Sequence, residues 1–552
     1  MKICNVITAL LGAAACAGLA IAQTAQTPVD TREVAAGDRR SALPAGWEQG
    51  AFMEIFVRAY RDSDGDGIGD LRGLTQSLDH LQSLGVRGIW LMPITRNADG
   101  DHGYATTDFR DIAPEYGTLA DFDELIRQAH ARGIGVIMDY VINHSAASHP
   151  LFEQARQGPA APYRDWYVWS ETAPAGWDIW GKYPWYAVSA QPWKWTGEVK
   201  DLPLAPPGTR DFYFGTFGPH MPDFNFRNPA VLAYHLSSLR FWLNRGLDGF
   251  RLDAVPHLIE NSATAWNDQP ESRALTKQLQ DLIKGYERRS VVCEATAAPQ
   301  AYGDPAVCGG AFAFGLEQQI VAAARGEPAA VQAVAAYYRQ APPTMASFLS
   351  SHDIFAGRRL WDQFGGQIAP YKLAAATYLL LPGTPYIYYG EEVGQAGVAD
   401  LPGDEPLRSP MSWVPDAARA GFTTGRPFRP VAPNVATHNV QTQAADPRSI
   451  LNFYKAMLAL RNTFPSLARG RFEASVADGQ VLSWQRRLDD ETTVVLINYG
   501  LQAAEAELQS LPARARLLAA YPADDAPLRV NSAGRALVVL EPQSVRVLRV
   551  QR

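Results

Sequence analysis

The segment GFRLDAVPH, residues 249–257, decides the fold prediction because it places two charged residues inside an apolar strand. Arg251 and Asp253 are two residues apart, so in a strand their side chains point to the same face. An ion pair among apolar residues is costly unless further hydrogen bonds compensate for the lost solvation. Two interpretations are open: a salt bridge that only fixes packing, or a catalytic carboxylate with an arginine partner at the carboxyl end of a barrel strand.

The N-terminus has the pattern of an export signal. A lysine and an apolar stretch precede the tripeptide AIA, residues 20–22, which is typical of a cleavage site. We therefore expect a signal peptide over residues 1–22, a disordered leader over residues 23–45, and a secreted or periplasmic protein. Membrane attachment is expected only in the alternative case of a lipoprotein anchored through Cys16.

Length and charge narrow the class of protein. A chain of 552 residues is too long for one compact core and suits a large barrel with appended domains. The net charge is -7 and no basic stripe is present, which disfavours nucleic acid as a partner. We expect a monomer.

Two cysteines, Cys293 and Cys308, remain after the predicted signal peptide. They could form a disulfide in an oxidising compartment. Because Cys293 ends the apolar run Val291-Val292-Cys293, a buried free thiol is an equally good interpretation.

Apolar strands alternate with amphipathic helical patterns along most of the chain. Near-continuous apolar strands between helices are typical of a parallel sheet covered on both faces. Eight of them predict an α/β fold, the (β/α)8 TIM barrel. The predicted strands are residues 51–56, 86–93, 134–142, 247–255, 289–295, 311–316, 345–350 and 384–390.

Two stretches depart from this alternation. Residues 145–221 are rich in Trp, Tyr, Pro and Gly and have no long helical period, so they predict an inserted domain after strand 3. Residues 467–552 contain short alternating strands and predict a C-terminal antiparallel β-sandwich. The remaining segments, residues 46–144 and 222–466, are assigned to the catalytic barrel.

Polar residues follow several of the predicted barrel strands. Strand 3 runs into the segment DYVINH, residues 139–144, strand 5 into Glu294, and strand 7 into His352 and Asp353. The carboxyl ends of barrel strands meet at one mouth, so Asp253, Glu294 and Asp353 should converge there. Three carboxylates and two histidines at these positions are difficult to attribute to packing.

These motifs resemble the α-amylase family of glycoside hydrolases (family 13), in order and at family spacing over essentially the whole mature chain. The segment MPDFN, residues 221–225, is similar to that of a group intermediate between oligo-1,6-glucosidases and neopullulanases, which contains bacterial α-amylases. The matching segments are DYVINH (139–144), GFRLD (249–253), Glu294, FLSSHD (348–353) and PGTPYIYYGEE (382–392).

The resemblance implies roles for the three carboxylates. Asp253 is the expected nucleophile, Glu294 the expected acid/base and Asp353 the third carboxylate, which holds sugar hydroxyls. Retaining hydrolysis needs a carboxylate and a carboxylic acid roughly 5–5.5 Å apart. We expect Arg251 to keep Asp253 ionised, and a less polar setting to raise the pKa of Glu294.

Substrate-binding residues are implied in the same way. His144 and His352 are expected to donate hydrogen bonds to the sugar beside Asp253, and Tyr104 to stack on its face. Arg251 and His257 complete the predicted substrate-binding set.

The segment DSDGDGIGD, residues 62–70, predicts a calcium site. It resembles the calcium loop after the first barrel strand of α-glucosidases and related amylases, and its closely spaced carboxylates would repel each other without a cation. The alternative is a solvated acidic turn. The expected Ca²⁺ ligands are Asp62, Asp64, Asp66, Asp70 and the carbonyl of Ile68.

A second calcium site is common in α-amylases. Asn143 and the carbonyl of His257 match its ligands, and Asp178 or Asp201 could supply the carboxylate. A merely structural Asn143 is an equally good interpretation.

The first functional hypothesis is a secreted α-amylase that cleaves internal α-1,4 bonds of starch or malto-oligosaccharides with retention. An exo-acting α-glucosidase or transglucosylase on short α-glucosides is the alternative, and an inactive carbohydrate-binding member is another. Pro256 stands where many α-amylases have lysine, and Ser351 where asparagine is common. These departures leave endo or exo action open.

Overall fold

A computed structural model describes residues 29–194, 206–523 and 526–552. Within these residues no helix is both long enough and apolar enough to cross a membrane. The predicted signal peptide, Cys16 and Asp201 lie outside the described residues.

The strands are short in the barrel and longer in the C-terminal domain. In chain order they are β1 Phe52–Ile55, β2 Gly88–Leu91, β3 Thr95–Asn97, β4 Thr106–Ile112, β5 Gly135–Tyr140, β6 Trp169–Ser170, β7 Trp185–Ala187, β8 Phe212–Phe214, β9 Gly249–Leu252, β10 Ser290–Cys293, β11 Ala311–Phe312, β12 Met345–Ala346, β13 Tyr386–Tyr388, β14 Arg471–Asp478, β15 Val481–Leu488, β16 Glu491–Asn498, β17 Ala504–Leu508, β18 Arg516–Tyr521, β19 Leu528–Arg529, β20 Ala536–Leu540 and β21 Ser544–Gln551.

The α-helices lie mostly between the barrel strands. They are α1 Val57–Tyr60, α2 Leu71–Gln76, α3 Leu78–Leu84, α4 Leu119–Ala131, α5 Pro150–Ala155, α6 Pro229–Asn244, α7 Pro270–Lys284, α8 Pro299–Gly303, α9 Leu316–Ala324, α10 Pro328–Tyr337, α11 Leu360–Gln363, α12 Ile368–Leu380, α13 Val440–Ala444, α14 Ile450–Thr463 and α15 Pro465–Arg469. Short 3-10 helices span Trp47–Gln49, Pro114–Tyr116, Arg164–Trp166, Val188–Ala190, Pro192–Lys194, Val255–His257, Ile354–Ala356, Glu391–Val393 and Glu405–Leu407.

Eight parallel strands form the predicted barrel, in the order β12-β11-β10-β9-β5-β2-β1-β13. The two end strands meet where the N–H of Tyr386 in β13 donates to the carbonyl of Ser347, one residue past β12, at 2.8 Å. All eight strands predicted from the sequence are present. The structure therefore confirms the TIM-barrel prediction, with each strand shorter than its apolar run.

Local sequence explains how the covering helices begin. Thr118 caps α4 with a capping box: its side chain accepts from the N–H of Asp121, whose carboxylate accepts from the N–H of Thr118. The apolar stripe of α4, which includes Phe122 and Leu125, is fully buried against the barrel.

The expected disordered leader is wrong for its described part, residues 29–45. The N–H of Val34 donates to Ser237 Oγ, and the N–H of Gly37 donates to Asn244 Oδ1, both on α6. Leu43 is only 1% exposed. Backbone pairing and burial of an apolar side chain offset the entropy cost of ordering this extended segment.

The predicted inserted domain contains a three-stranded antiparallel sheet, β6-β8-β7. Its aromatic residues pack together around Trp185 and Phe214, whose ring centroids are 5.0 Å apart. The Trp- and Tyr-rich composition therefore builds a small core of its own.

The C-terminal domain has a six-stranded sheet, β14-β15-β16-β21-β18-β19, and a two-stranded sheet, β17-β20. Alternate residues of β20 are buried in an apolar cluster shared with β16 and β21. The two sheets form the predicted antiparallel β-sandwich.

Cys293 and Cys308 form a disulfide with a Cα–Cα distance of 6.4 Å. Of the two interpretations from the sequence, the disulfide is the one that the structure contains. The bond ties the end of β10, next to Glu294, to the segment that leads into β11.

Candidate active site at the carboxyl end of the barrel

Buried polar side chains gather where the barrel strands end. Three of them lie within the apolar core and are each only 2% exposed: Glu54 on β1, Asp139 on β5 and Arg251 on β9. Asp253 and His352, which follow β9 and β12, are 5% and 1% exposed. Buried charges persist only when they are paired, so this cluster is a specific arrangement of partners.

Arg251 lies at the centre of the cluster. Its Nη1 is 2.9 Å from Asp139 Oδ1 and also contacts Asp253 Oδ1, while its Nη2 is 2.9 Å from Glu294 Oε2. The guanidinium carbon lies 5.3 Å from the centroid of the Trp90 ring. One cation therefore serves three carboxyl groups and stacks on an indole.

The shared guanidinium holds Asp253 and Glu294 close to each other. The two carboxyl groups contact neighbouring nitrogens of Arg251, and Glu294 is within hydrogen-bond reach of Asp253. Inverting glycosidases need roughly 6.5–9.5 Å between their carboxyl groups to admit a water molecule. The tighter arrangement favours a retaining reaction.

The backbone after β9 contributes to this arrangement. Ala254 has φ 49° and ψ 31°, a left-handed conformation that turns the chain into the 3-10 helix Val255–His257. Its N–H donates to Glu294 Oε2 at 3.1 Å. The turn therefore links the backbone next to the predicted nucleophile to the predicted acid/base.

Burial and neighbouring charges give the carboxyl groups of Asp253 and Glu294 different pKa values. Burial raises the pKa of Glu294 to about 7, as predicted, against the opposing effect of Arg251. Burial also raises the pKa of Asp253, to about 6. Arg251 lowers this pKa, as expected, but its effect is smaller than that of burial. Near neutral pH Asp253 is the more ionised group, which suits a nucleophile beside a protonated acid.

Asp353 belongs to a second chain of contacts. His352 Nε2 is 3.0 Å from Asp353 Oδ2, and His352 Nδ1 is 2.5 Å from Glu54 Oε1. Burial alone would lower the pKa of His352, but the carboxylates of Asp353 and Glu54 outweigh it and raise that pKa to about 10. Burial opposes ionisation of Asp353, yet the His352 charge holds its pKa well below the usual range.

Tyr104 connects the Arg251 cluster to the contacts of His352 and Asp353. Its hydroxyl donates to Asp139 Oδ2 at 2.9 Å and lies 2.8 Å from His352 Nε2. Its ring stacks on His352 with the centroids 5.5 Å apart. The predicted stacking residue thus lies at the mouth, and its half-buried ring lines the cavity.

His144 and His257 line the same cavity as Asp253 and Glu294. Burial lowers the pKa of His144 to about 3 and that of His257 to about 4, so both rings are neutral. Among the described residues, neither His144 Nε2 nor His257 Nδ1 has a hydrogen-bond partner, although both atoms are buried. Two neutral histidines with an unpaired ring nitrogen in the cavity lining are consistent with the predicted substrate-binding role.

Two residues of this site were missed by the sequence reasoning. Glu54 lies in the middle of an apolar strand pattern, and nothing local marks it as the partner of His352. Arg408 donates from Nε to the carbonyl of His352 at 3.0 Å, and its Nη2 is 3.4 Å from Asp353 Oδ1. It follows β13 and lies far along the chain from Asp353, so sequence spacing gives no signal for the contact.

The predicted calcium loop brings three of its residues together. Oxygens of Asp62, Asp64 and Asp70 lie within 4.8 Å of one another. Burial would raise the pKa of Asp62, but hydrogen bonds from Thr423 and from backbone N–H groups hold it below its ordinary value. An oxygen-only set of carboxylates fits a hard cation such as Ca²⁺.

Asp66 lies outside this group of three, and its Oδ1 accepts from the N–H of Ile68 at 2.7 Å. Its expected role as a fourth carboxylate ligand stays a prediction. The predicted role of the Ile68 carbonyl stays a prediction.

The second calcium site remains a prediction with a different partner set. Asn143 is 1% exposed and hydrogen-bonds to Asp223, whereas Asp178 is exposed. Burial raises the pKa of Asp223 to about 7. Burial and the nearby charge of Asp223 together raise the pKa of Glu260 to about 8. Asp223 is therefore the carboxylate beside Asn143, and the sequence did not single it out.

A parallel barrel with paired carboxyl groups and an arginine at its mouth defines a class of glycoside hydrolases. Residues 54–470 match the family model described as Alpha amylase, catalytic domain. The chain belongs to this α-amylase family, glycoside hydrolase family 13.

Relatives support the same assignment. The chain is 34% identical to a trehalose synthase/amylase (TreS) of Mycobacterium tuberculosis over 85% of this chain and 84% of the relative. It is 33% identical to alpha-amylase 3 of Dictyoglomus thermophilum over 82% of this chain and 85% of the relative. The crystal structure of an alpha-glucosyl transfer enzyme, XgtA, superposes with a TM-score of 0.76 and 27% identity, covering 92% of this chain and 99% of that one.

The pKa values predict the pH dependence of activity. Asp253 must lose its proton and Glu294 must keep one, so kcat/KM should rise through about pH 6 and fall above about pH 7. Because the two groups interact, both limbs belong to the pair. Glu294→Gln should lower turnover of maltose by about 100-fold or more. With α-D-glucosyl fluoride, whose leaving group needs no proton, kcat/KM should fall far less in the variant.

A matched control is available in Glu317 on α9, whose pKa burial also raises to about 7. Glu317→Gln should leave the pH profile unchanged because this residue does not line the cavity. Equal losses of kcat/KM with maltose and with glucosyl fluoride in Glu294→Gln would contradict the assignment.

The Glu54–His352 contact predicts a pH-dependent stability. The pKa of His352 is raised to about 10, so its contribution is complete below the unfolded value of about 6.5 and is lost as pH rises through 10. Glu54→Gln should cost about 2 kcal/mol of unfolding free energy at low pH. Urea unfolding of both proteins at several pH values should show this difference shrinking toward alkaline pH. A difference that grows with pH would refute the ion pair.

Calcium should stabilise the loop of residues 62–70. A ligand at a hundred-fold excess over its Kd adds about 2.7 kcal/mol to the unfolding free energy. We expect a chelator to lower the melting temperature of the wild type and to have little effect on Asp64→Asn. Asp490→Asn in the C-terminal domain, whose side chain is 97% exposed, serves as the control and should keep the calcium response. Equal melting temperatures with and without chelator would exclude a structural calcium here.

Proposed function

We propose that this protein removes one glucosyl unit from the non-reducing end of short α-glucosides and transfers it to water or to a second sugar. This is the exo-acting alternative from the sequence, and it replaces internal cleavage of starch as the preferred hypothesis. Export of the enzyme stays part of the proposal, and the Cys293–Cys308 disulfide is compatible with an oxidising compartment.

The observation that favours this function is an ion-pair bridge beside Asp353. Asp101, after β3, is 3.3 Å from Nη1 of Arg408 and 2.9 Å from Nη2 of Arg429, and both arginines follow β13. Arg408 is also 3.3 Å from Asp404. The bridge joins the loops that follow β2 and β13, the two strands that flank β1, and we take it to close the cavity next to Asp353.

A closed end limits the substrate. An enzyme that cuts inside a polymer needs an open groove on both sides of the cleaved bond. Here Asp353, Asp404 and Arg408 line the cavity, and Arg408 ties them to the Asp101 bridge. Its volume of about 710 Å³ is within the usual range of about 300–1,000 Å³ for small-molecule sites. The shape suits a short glucoside whose terminal sugar fills the closed end.

The residues present support a double displacement. The Asp253 carboxylate attacks the anomeric carbon while Glu294 gives its proton to the departing oxygen, which leaves a glucosyl ester on Asp253. Glu294 then takes a proton from water or a sugar hydroxyl, which attacks the same carbon and releases the Asp253 carboxylate. Asp353 and the neutral His144 ring bind sugar hydroxyls during both steps.

The names of the relatives are compatible with this proposal. They include a trehalose synthase/amylase and a protein whose crystal structure is described as that of an alpha-glucosyl transfer enzyme. Because the chain is also similar to an alpha-amylase, an experiment has to distinguish exo action from internal cleavage.

A time course of products from maltose, maltotriose, trehalose and amylose tests the proposal. We expect glucose and glucosyl-transfer products from the short substrates, with amylose shortened only from its ends. Asp253→Asn is the inactive control. In Asp101→Ala the bridge is lost, so activity on amylose should rise relative to maltose. Early release of malto-oligosaccharides from amylose by the wild type would contradict exo action.

A further inference from the structure

A two-residue β-hairpin of the inserted domain reaches the catalytic cavity. Ile179 and Lys182 pair as an isolated bridge, with N–H to O distances of 2.8 and 3.0 Å in the two directions. Trp180 and Gly181 form the tip, and the Asp178 carboxylate accepts from the N–H of Gly181 at 2.6 Å.

The tip has an unfavourable residue for its backbone conformation. Trp180 has φ 52° and Gly181 has φ 79°, so both central residues are left-handed, as in a type I′ turn. Such turns favour Asn-Gly, because asparagine tolerates a positive φ and a bulky aromatic residue does not. Backbone strain of this kind is concentrated at functional sites.

The side chain at this position is also unusual. Trp180 is 58% exposed, although large indole rings are mostly buried. It lines the cavity that contains Asp253 and Glu294, together with Lys182 of the same hairpin. An exposed tryptophan on a strained backbone is costly for folding alone, so its position at the cavity needs a functional explanation.

Neighbouring rings fix the orientation of the indole. Trp180 meets Trp266 edge-on with the centroids 5.4 Å apart and His257 edge-on at 5.5 Å. His257 in turn stacks on Trp266 at 5.4 Å. The Phe217 ring is a third neighbour, tilted by 41° with its centroid 5.8 Å away. Because Trp180 is 58% exposed, the indole still offers surface to a planar or ring-shaped ligand in the cavity.

We propose that Trp180 is the platform for the sugar on the far side of the scissile bond, which is the leaving group in the first step and the acceptor in the second. This inference rests on the proposed function, because it names the residue that recognises the second sugar of a short α-glucoside. The closed end beyond Asp353 holds the glucosyl unit, so the second sugar extends toward the hairpin. Apolar C–H groups of a sugar ring pack on an indole face, and Lys182 can donate to its hydroxyls.

The experiment compares two donors. Maltose has a sugar beyond the scissile bond, whereas α-D-glucosyl fluoride has only fluoride there. Trp180→Asn removes the indole and introduces a residue that the turn prefers, so the variant should fold with an unchanged or higher melting temperature. Its kcat/KM for maltose should fall by roughly three- to ten-fold while that for glucosyl fluoride stays the same.

Trp180→Tyr is the conservative variant and should recover most of the activity on maltose, because it restores an aromatic face. Transfer from glucosyl fluoride to added glucose should weaken in Trp180→Asn, with a higher acceptor concentration needed for half-maximal transfer. A purely structural role of Trp180 would not produce this split between donors.

Equal losses with both donors, or no loss with either, would overturn the proposal. Failure of the proposed function is recognised separately, in the wild type, as internal cleavage of amylose without action on maltose. In that case the same comparison is made between maltohexaose and glucosyl fluoride, and a selective loss with maltohexaose still supports the role of Trp180.

Discussion

The active site depends on the ion pairs of Arg251, whose guanidinium holds Asp139, Asp253 and Glu294 around one positive charge. Three buried carboxylates with one such partner cannot all be ionised near neutral pH without a large electrostatic cost. The cluster therefore retains a proton, and Glu294 is the group with the highest pKa of the three. The same contact thus sets both the spacing of the reacting carboxyls and the difference in their protonation.

Sequence reasoning predicted the barrel and the reacting groups because both leave regular signals. Apolar runs between helical periods mark barrel strands, and a charged residue such as Asp253 or Glu294 after such a run is visible at the strand end. The α-amylase resemblance then assigned their roles. Strand boundaries were less accurate, since the apolar run continues beyond the hydrogen-bonded residues.

Contacts between distant parts of the chain could not be predicted in this way. Glu54 looks like one polar residue in a buried strand, and its importance comes only from His352, which is brought next to it by barrel closure. Arg408 reaches Asp353 through the loop after β13, where no motif fixes the register. Leader residues 29–45 were misjudged because their order comes from pairing with helix α6, which composition does not encode.

The proposed preference for short substrates rests on the same kind of long-range contact. Asp101 pairs with arginines more than 300 positions away along the chain, and Trp180 lines the cavity from the inserted domain. In the sequence, Trp180 is one of many aromatic residues, and only its positive φ and its exposure distinguish it. The reaction type could therefore be predicted from sequence motifs, whereas the proposal on substrate specificity needed the three-dimensional structure.

The central claim is that Asp253 forms a covalent bond to the glucosyl unit while Glu294 serves as the proton donor. The most direct measurement is mass spectrometry of the protein after incubation with 5-fluoro-α-D-glucosyl fluoride, whose glucosyl ester is slow to hydrolyse. We predict one 5-fluoroglucosyl group per chain, on the peptide that contains Asp253, and no label in Asp253→Asn. Labelling of another carboxylate, or turnover with no covalent adduct, would contradict this mechanism.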